Sequence, residues 1–341
     1  MTGNIAIPEL KSGEEVWLVL VVTSVRERRT QQGERFHLAT ARNASGAIPM
    51  KVPSQAAGET GTIKPGLWGV VGRVESFQNQ PQFTVSEYRP ISVDKYRELQ
   101  GAEPPLPRAY TIDIETIALA EFRERAALKL KRNVQLGKMG PEQQERYNED
   151  QTEEEERAYR LGSLAATSGR ILSIAVHVGL VAEVDRTLEN ESERVFGIDV
   201  DGREQLEHQA LEEFLALMSG FDPEADEVVG HNIIGFDLPF IFQRCLANNI
   251  AGPPFINLSE YNPRGVYDTM FRWWLGARNR VSLDDLAWVL GLQSSKTEEV
   301  EGSRVFDLYH AGKLAEIREY NLKDVRLTRK VYERMVGVWG R

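Results

Sequence analysis

Acidic side chains at alternate positions of an apolar segment are the first candidates for chemistry. Residues 110–115 alternate apolar and polar side chains, which predicts a β-strand. Asp113 and Glu115 then project from the same face, about 7 Å apart along the strand. Two buried carboxylates repel each other and lose hydration, and a divalent cation between them relieves both costs. Hard carboxylate oxygens favour Mg²⁺ or Mn²⁺ over Zn²⁺.

Two later segments supply further polar side chains at defined structural positions. Residues 228–239 predict a strand, a turn through Gly235 and a helix that begins near Asp237. Capping of that helix explains Asp237 equally well when it is taken alone. Near the end of the chain, Tyr320 and Asp324 are an i, i+4 pair, so they share one helix face.

Taken together and in order, these segments resemble the three motifs of the DEDD exonuclease superfamily. The motifs are D-x-E at 113–115, N-x-x-x-F-D at 232–237 and Y-x-x-x-D at 320–324, and the tyrosine is typical of the DEDDy branch. The segment GHNIIGFDLPFI is similar to the second motif of the proofreading exonuclease domain of B-family DNA polymerases. YNLKDV is similar to the third motif, and VSLDDLAWVLGL resembles the helix between them.

The resemblance implies a ribonuclease H-like α/β fold, in which helices flank a mixed sheet, and hydrolysis with two Mg²⁺ or Mn²⁺ ions. By resemblance, Asp113 bridges both ions, and Glu115 and Asp324 complete the first metal site. Asp237 holds the second ion. This assignment makes the chain a 3′–5′ exonuclease, a phosphodiester hydrolase.

Three more residues receive roles from the same resemblance. Tyr320 orients or deprotonates the attacking water, and orientation is the better hypothesis because a free tyrosine has a pKa of about 10. Asn232 and Phe236 are expected to bind substrate by shaping the floor around the terminal nucleotide. Turn formation and core packing explain these two residues equally well.

The N-terminal segment, about 12–95, predicts five short strands separated by turn-like segments. Residues 16–25 are almost continuously apolar, and alternating segments follow at 35–41 and 48–52. Five strands in about 80 residues are typical of an all-β OB-type barrel. The segment PGLWGVVGRVESFQNQPQFTV is similar to the fourth and fifth strands of OB-fold nucleic-acid-binding proteins.

An OB barrel of this kind is expected to bind single-stranded nucleic acid in a groove. The candidate phosphate contacts are Arg35, His37, Arg42 and Lys51, together with an exposed aromatic side chain for base stacking. A solvated barrel face with a structural role is the alternative. The net charge of −10 does not exclude such a partner, because bound cations contribute local positive charge to an acidic nuclease.

The Pro-rich segment 99–109 predicts a linker between an OB domain at 1–98 and an exonuclease domain at 110–341. An insert at about 119–168 separates the first two motifs and contains the acidic run Glu153–Glu156. A solvated helix or loop is expected there, with a lid beside the cleft as the alternative. The sequence has no apolar run of the roughly 20 residues that span a bilayer, no signal-peptide pattern and one cysteine. These features favour the cytoplasm.

We therefore expect a stand-alone exonuclease that releases nucleoside 5′-monophosphates from the 3′ ends of single-stranded DNA. An exoribonuclease stays open as an alternative, because discrimination between the sugars depends on contacts to the 2′-hydroxyl. A proofreading subunit with a separate polymerase or repair partner is a second alternative. A non-catalytic nucleic-acid-binding protein is the third.

Overall fold

The computed structural model describes residues 2–3, 6–58, 62–77, 80–130, 140–181, 191–252, 265–275, 280–293 and 305–339. These residues form two β-sheets, a barrel near the N-terminus and a mixed sheet with flanking helices. Within the described ranges, no helix combines the length and the apolar composition needed to cross a bilayer.

The N-terminal sheet closes into a barrel, as predicted. Its strands are β1 (Thr2–Gly3), β2 (Glu15–Arg29), β3 (Arg35–Asn43), β4 (Gly46–Pro53), β5 (Ala57–Gly58), β6 (Gly66–Phe77) and β7 (Gln80–Pro90), and helix α1 (Val93–Gln100) follows. Five strands close the barrel in the order β2-β3-β4-β7-β6, and β6 pairs again with β2. Strands β4 and β7 run parallel, whereas the other neighbours in the barrel run antiparallel. This closed five-strand order is that of the OB fold.

Strand β2 is apolar on both faces because both faces are buried. Alternate residues from Val16 to Val22 fill the barrel. Val19 and Val21 project from the other face and pack against Tyr96 of α1. The continuous apolar segment in the sequence therefore reflects a strand between the barrel core and a covering helix.

The C-terminal sheet is mixed, which confirms the predicted α/β class. Its strands are β8 (Arg108–Ala118), β9 (Gly169–Leu180), β10 (Ser192–Phe196), β11 (Glu227–Gly230) and β12 (Val266–Asp268). They are arranged in the order β10-β9-β8-β11-β12. Strand β9 runs antiparallel to β8 and β10, and β11 runs parallel to β8 and β12.

Helices cover both faces of this sheet and thereby position the acidic motifs. They are α2 (Phe122–Leu130), α3 (Pro141–Leu161), α4 (Glu207–Met218), α5 (Asp237–Ala247), α6 (Thr269–Trp274), α7 (Leu283–Val289), α8 (Val305–His310) and α9 (Leu314–Trp339). Helices α4 and α5 cover the sheet face that carries Ile112 and Ile114. Helix α9 covers the opposite face, toward which Asp113 and Glu115 project.

The insert between the first two motifs forms α2 and α3, and its residues 131–139 lie outside the described part of the chain. The Arg123 guanidinium of α2 lies 4.2 Å from the ring centroid of Tyr159 on α3. The Thr116 hydroxyl donates a hydrogen bond to the carbonyl of Ser163 (2.8 Å). The insert is therefore tied to β8 at the residue that follows Glu115.

A chain of polar contacts joins the barrel to the first strand of the exonuclease sheet. Arg42 on β3 forms an ion pair with Asp222, through Nη1 and Oδ2. The backbone N–H of Asp222 donates to Asp226 Oδ2 (2.9 Å), and Asp226 Oδ1 accepts the backbone N–H of Arg108 (2.8 Å). Arg108 is the first residue of β8, so these contacts orient the barrel relative to that strand.

The Arg42–Asp222 ion pair should couple the two parts of the chain. Both side chains are partly buried, so we expect a coupling free energy of about 1 kcal/mol, at the upper end of values for surface pairs. Denaturant unfolding of Arg42→Ala, Asp222→Asn and the double variant measures this coupling. The exposed pair of Arg203 and Asp201 is the matched control. Additive losses at Arg42 and Asp222 would show that the pair contributes no coupling.

Candidate functional site

Three carboxylates meet where β8 passes under α9. Asp113, Glu115 and Asp324 each offer one oxygen, and these oxygens all lie within 4.8 Å of one another. Period-two alternation places Asp113 and Glu115 on one face of β8, and α9 brings Asp324 across that face. Among the described residues, this is the group of metal-binding side chains with suitable spacing. The structure thus brings together three of the four carboxylates that the motifs predicted.

The fourth carboxylate, Asp237, begins α5 and is buried. Its Oδ1 accepts the backbone N–H of Ile114 (3.1 Å). Strand β11 pairs with β8 only as far as Thr111, so the Asp237 side chain satisfies an N–H group that β11 does not reach. Its charge raises the pKa of both Asp113 and Glu115, which shows that Asp237 faces the other acids.

Burial is the main reason why the pKa values of these acids are raised. The pKa values of Asp113 and Glu115 lie well above their ordinary range, because burial disfavours the ionised form and neighbouring carboxylates add repulsion. Burial also raises the pKa of Asp237 from 3.8 to about 7. Protons therefore neutralise part of this cluster near neutral pH. A hard divalent cation can replace those protons, so the donor set fits Mg²⁺ or Mn²⁺.

Tyr320 and Asn321 bring side chains from α9 into the same cluster. The Tyr320 hydroxyl is hydrogen-bonded to Asp324, and burial together with the charge of Asp324 raises the pKa of the tyrosine. A raised pKa keeps the phenol neutral, which favours an orienting role over a role as a base. Asn321, which the motif analysis missed, donates from Nδ2 to Asp113 Oδ2 (2.7 Å).

The loop before α5 is organised by Asp268, a buried residue that the sequence analysis also missed. Asp268 Oδ1 accepts the backbone N–H of Asn232 (3.0 Å), and Oδ2 accepts that of Ile234 (3.1 Å). Asp268 Oδ1 also caps α6 by accepting the backbone N–H groups of Met270 and Phe271 (3.0 Å each). An acid before a helix predicts a cap, but the contacts with the distant loop have no sequence signal.

Asn232 and Phe236 both have clear structural roles. Asn232 has a φ of 60°, a left-handed conformation that asparagine tolerates. A Cβ at Gly235 would lie 2.5 Å from Asn232 Oδ1, so a larger residue there would displace the Asn232 amide. Phe236 is partly buried and its ring lies 5.5 Å from that of Phe240. Contact of Asn232 and Phe236 with a nucleotide stays a prediction.

Phe36, Leu38 and Lys51 form a half-buried apolar and basic strip on the outside of the barrel, which we call the outer strip. Lys51 on β4 pairs with Leu38 on β3, and Lys51 Nζ lies 5.5 Å from the ring centroid of Phe36. Lys51 is one of the predicted phosphate contacts. Phe36 is a half-buried aromatic side chain beside this lysine.

The other three predicted phosphate contacts are not part of the outer strip. Arg35 and His37 project from the opposite face of β3, the face on which Ala39 enters the barrel core. Arg42 lies at the far end of β3, in the ion pair with Asp222. The structure therefore distributes the four candidates over separate surfaces.

The comparison with protein families identifies the C-terminal half. Residues 169–341 match the family described as "predicted 3′-5′ exonuclease related to the exonuclease domain of PolB". This match covers half of the chain. The chain belongs to this family. Asp237, Tyr320 and Asp324 lie within the matched residues of this exonuclease family, whereas Asp113 and Glu115 precede them.

Solved structures similar to this chain include OB domains. A replication protein A domain from Methanococcus maripaludis is 16% identical, with a TM-score of 0.22, over 25% of this chain and 91% of that chain. A replication protein A heterotrimer bound to single-stranded DNA is 18% identical, with a TM-score of 0.21, over 28% and 71%. An OB domain from Thermoplasma acidophilum is 10% identical, with a TM-score of 0.22, over 27% and 90%. A comparison with curated proteins gives no significant match.

In the absence of metal, the wild-type protein should become less stable than the Asp237→Asn variant as the pH rises from about 4 to about 7. The raised pKa of Asp237 means that folding favours its protonated form, so its stabilising contribution is full below the unfolded-state pKa and is lost as the pH passes about 7. Asparagine resembles the protonated acid, so the variant should be more stable near pH 8, by on the order of 2 kcal/mol.

Thermal unfolding in EDTA across this pH range measures the difference. Asp150→Asn, at an exposed acid on α3, is the matched control and should show a constant offset from the wild type. If the difference in stability between the wild type and Asp237→Asn did not change with pH, the burial of an ionisable Asp237 would be contradicted.

Proposed function

We propose that this protein is a stand-alone, two-metal 3′–5′ exonuclease that releases nucleoside 5′-monophosphates from single-stranded DNA. The observation that carries the proposal is the convergence of Asp113, Glu115 and Asp324 within 4.8 Å, beside Asp237 and Tyr320. Membership of the exonuclease family supports the type of reaction. The single-stranded DNA substrate, the metal dependence and the cytoplasmic location are predictions.

The carboxylates would hold the cations, and the other groups would hold the reactants. Asp113, Glu115 and Asp324 would hold one cation, and Asp237 would contribute to holding a second. Bound cations lower the pKa of the attacking water and stabilise the charge on the departing 3′ oxygen. Tyr320 contributes a neutral hydroxyl that orients the water. The Ile114 N–H holds Oδ1 of Asp237 and so orients its other oxygen.

We also propose the domain division 1–98 and 110–341, joined by 99–109. Two of the joining residues belong to α1, which ends at Gln100. Leu106 packs both against the cluster around Tyr96 of α1 and against the cluster that includes Tyr332 of α9. These contacts support a joining segment that is docked on both domains.

The barrel is proposed to bind the substrate strand through the outer strip. The strip lies on β3 and β4, the second and third strands of the barrel, and this face binds oligonucleotides in OB folds. Phe36 supplies a ring on which a base can stack, and Lys51 supplies a cation for a phosphate. The same surface would supply affinity for long substrates and leave the hydrolytic chemistry to the exonuclease domain.

Digestion of matched 5′-labelled single-stranded DNA and RNA with Mg²⁺, Mn²⁺ or EDTA tests the function. We expect DNA to shorten from its 3′ end as a ladder with either cation, and both EDTA and a 3′-terminal phosphate to suppress the reaction. Asp113→Asn should lower kcat by more than the roughly 10–100-fold that loss of an outer-shell partner costs. Asp150→Asn again serves as the control.

Three outcomes would contradict parts of this proposal. Internal cuts in circular single-stranded DNA would exclude an exonuclease, and a folded Asp113→Asn protein with wild-type activity would exclude the assigned site. Faster digestion of RNA than of DNA would make the protein an exoribonuclease.

Substitutions in the outer strip should weaken binding of long strands and leave the shortest substrates unaffected. Stacking of one base contributes about 1–3 kcal/mol, so Phe36→Ala should raise the Kd for a long strand about ten-fold. Lys51→Ala should lower the slope of log Kd against log salt by about one unit. Fluorescence anisotropy across salt concentrations gives both quantities, and kcat/KM for a dinucleotide should stay unchanged.

The control variants are Arg35→Ala and His37→Ala, because these side chains project from the other face of β3. Equal losses for the two faces, or equal losses on short and long substrates, would assign the barrel a structural role.

A further inference from the structure

We propose that Asn321 is a positioning residue that holds the Asp113 carboxylate in place relative to α9, and that the Ser173 hydroxyl anchors the Asn321 amide to β9. Ser173 lies outside the acidic motifs, and Asn321 occupies an unassigned position within the third. The inference rests on the proposed metal-dependent function, because its consequence is the affinity of the carboxylate cluster for a divalent cation.

The contacts of Asn321 are complete and directional. Its side chain is fully buried, where an amide without partners would carry a large desolvation cost. Asn321 Nδ2 donates to Asp113 Oδ2 (2.7 Å), and Asn321 Oδ1 accepts from the Ser173 hydroxyl (2.9 Å). The Asp113 carboxylate accepts but does not donate, so it selects the orientation in which Nδ2 faces it. The Ser173 hydroxyl donates to the opposite end of the amide and so ties it to β9.

The three residues connect two neighbouring strands of the sheet to helix α9. Ser173 lies on β9, directly opposite Glu115 in the strand register. Asp113 lies on β8, and Asn321 lies on α9 between Tyr320 and Asp324. The hydrogen-bonded chain therefore connects both strands to the helix at the level of the carboxylates.

This connection adds directional contacts at the level of the carboxylates, where α9 otherwise packs on the sheet through apolar side chains. Leu322 and Val325 of α9 pack against Ala175 of β9, and such apolar contacts are non-directional. Small sliding or rotation of the helix would preserve them while moving Asp324 away from Asp113. Two hydrogen bonds of defined geometry resist that movement, because their strength falls steeply with misalignment.

The amide donor also suits a cluster of like charges. Asp113 is crowded by Asp237, Glu115 and Asp324. A lysine or arginine at position 321 would stabilise the carboxylate but would compete with a cation for the same charge. The neutral amide occupies one side of Oδ2 and adds no net charge, so the cluster keeps its attraction for a divalent cation.

Titration with Mn²⁺, followed by electron paramagnetic resonance, tests the assignment on the full-length chain. Asn321→Ala should raise the Kd for Mn²⁺ by about 10–100-fold, the range found when an outer-shell partner of a metal ligand is removed. Ser173→Ala should show a smaller loss of the same kind. Because Ser173 acts through Asn321, the double variant should bind Mn²⁺ as Asn321→Ala does. Exonuclease activity should recover partly as the Mn²⁺ concentration is raised.

Asn321→Leu keeps a side chain of similar size without adding charge, and it should also weaken Mn²⁺ binding because it lacks the amide donor. It provides a second measurement where Asn321→Ala does not fold. Ser168→Ala is the matched control for Ser173→Ala, since the buried Ser168 hydroxyl donates to the carbonyl of Gly162 (2.8 Å). This control removes a buried hydrogen bond elsewhere and should leave the Mn²⁺ affinity unchanged.

The possible failures are distinguishable. Wild-type Mn²⁺ affinity in a folded Asn321→Ala protein would overturn the role of Asn321. An equal loss from Ser173→Ala in the wild-type and Asn321→Ala backgrounds would overturn the role of Ser173 as its partner. A wild-type protein that binds no Mn²⁺ would overturn the proposed metal-dependent function and this inference with it.

Discussion

Burial of neighbouring carboxylates is the constraint on which the rest of the exonuclease domain depends. Burial disfavours the ionised form of three of these acids, Asp113, Glu115 and Asp237, and raises their pKa values. Such a cluster survives folding only if rigid surroundings hold the acids together. The domain provides those surroundings from three directions, through the centre of the sheet, the first turn of α5 and the long helix α9. Each direction uses a different physical means.

The sheet holds its two acids through the backbone. Strand β8 lies between β9 and β11, and its pairing with β9 extends on both sides of Asp113 and Glu115. Asp237 is held by a hydrogen bond that extends this ladder beyond the end of β11. The loop that leads to Asp237 is held in turn by Asp268 through two backbone N–H groups. In each of these contacts at least one partner is a main-chain group.

Local sequence patterns predicted much of this arrangement because its parts are periodic. The alternation at 110–115 placed Asp113 and Glu115 on one face, and the i, i+4 spacing placed Tyr320 and Asp324 on one helical turn. The contacts of Asn321 with Ser173 and Asp113 span 148 and 208 positions. No local period encodes such pairs, so Asn321 and Ser173 had no sequence signal beyond being polar residues in apolar segments.

The faces of β3 show a second limit of local pattern. Hydropathy alone favours Phe36 and Leu38 as the buried face, yet Ala39 and Ala41 enter the barrel core. Small side chains on β3 fit there because Ile48 and Met50 of the neighbouring strand fill the interior. Which face turns inward is decided by the volume available inside a closed barrel, a property of five strands together. The apolar side chains left outside are those that we assign to strand binding.

Strand β8, which carries Asp113 and Glu115, also links the barrel to the carboxylate cluster. Arg108, the first residue of β8, donates its backbone N–H to Asp226. Asp226 also accepts the backbone N–H of Asp222, whose side chain pairs with Arg42 of the barrel. Asp113 lies five residues further along β8, or about 17 Å in an extended strand. With the barrel docked at one end of this rigid strand, the distance from the outer strip to the carboxylates is set by the fold. If a flexible tether joined the domains, the 3′ end of a strand bound at the proposed outer strip would sample many positions. A docked barrel would restrict that 3′ end to a few positions.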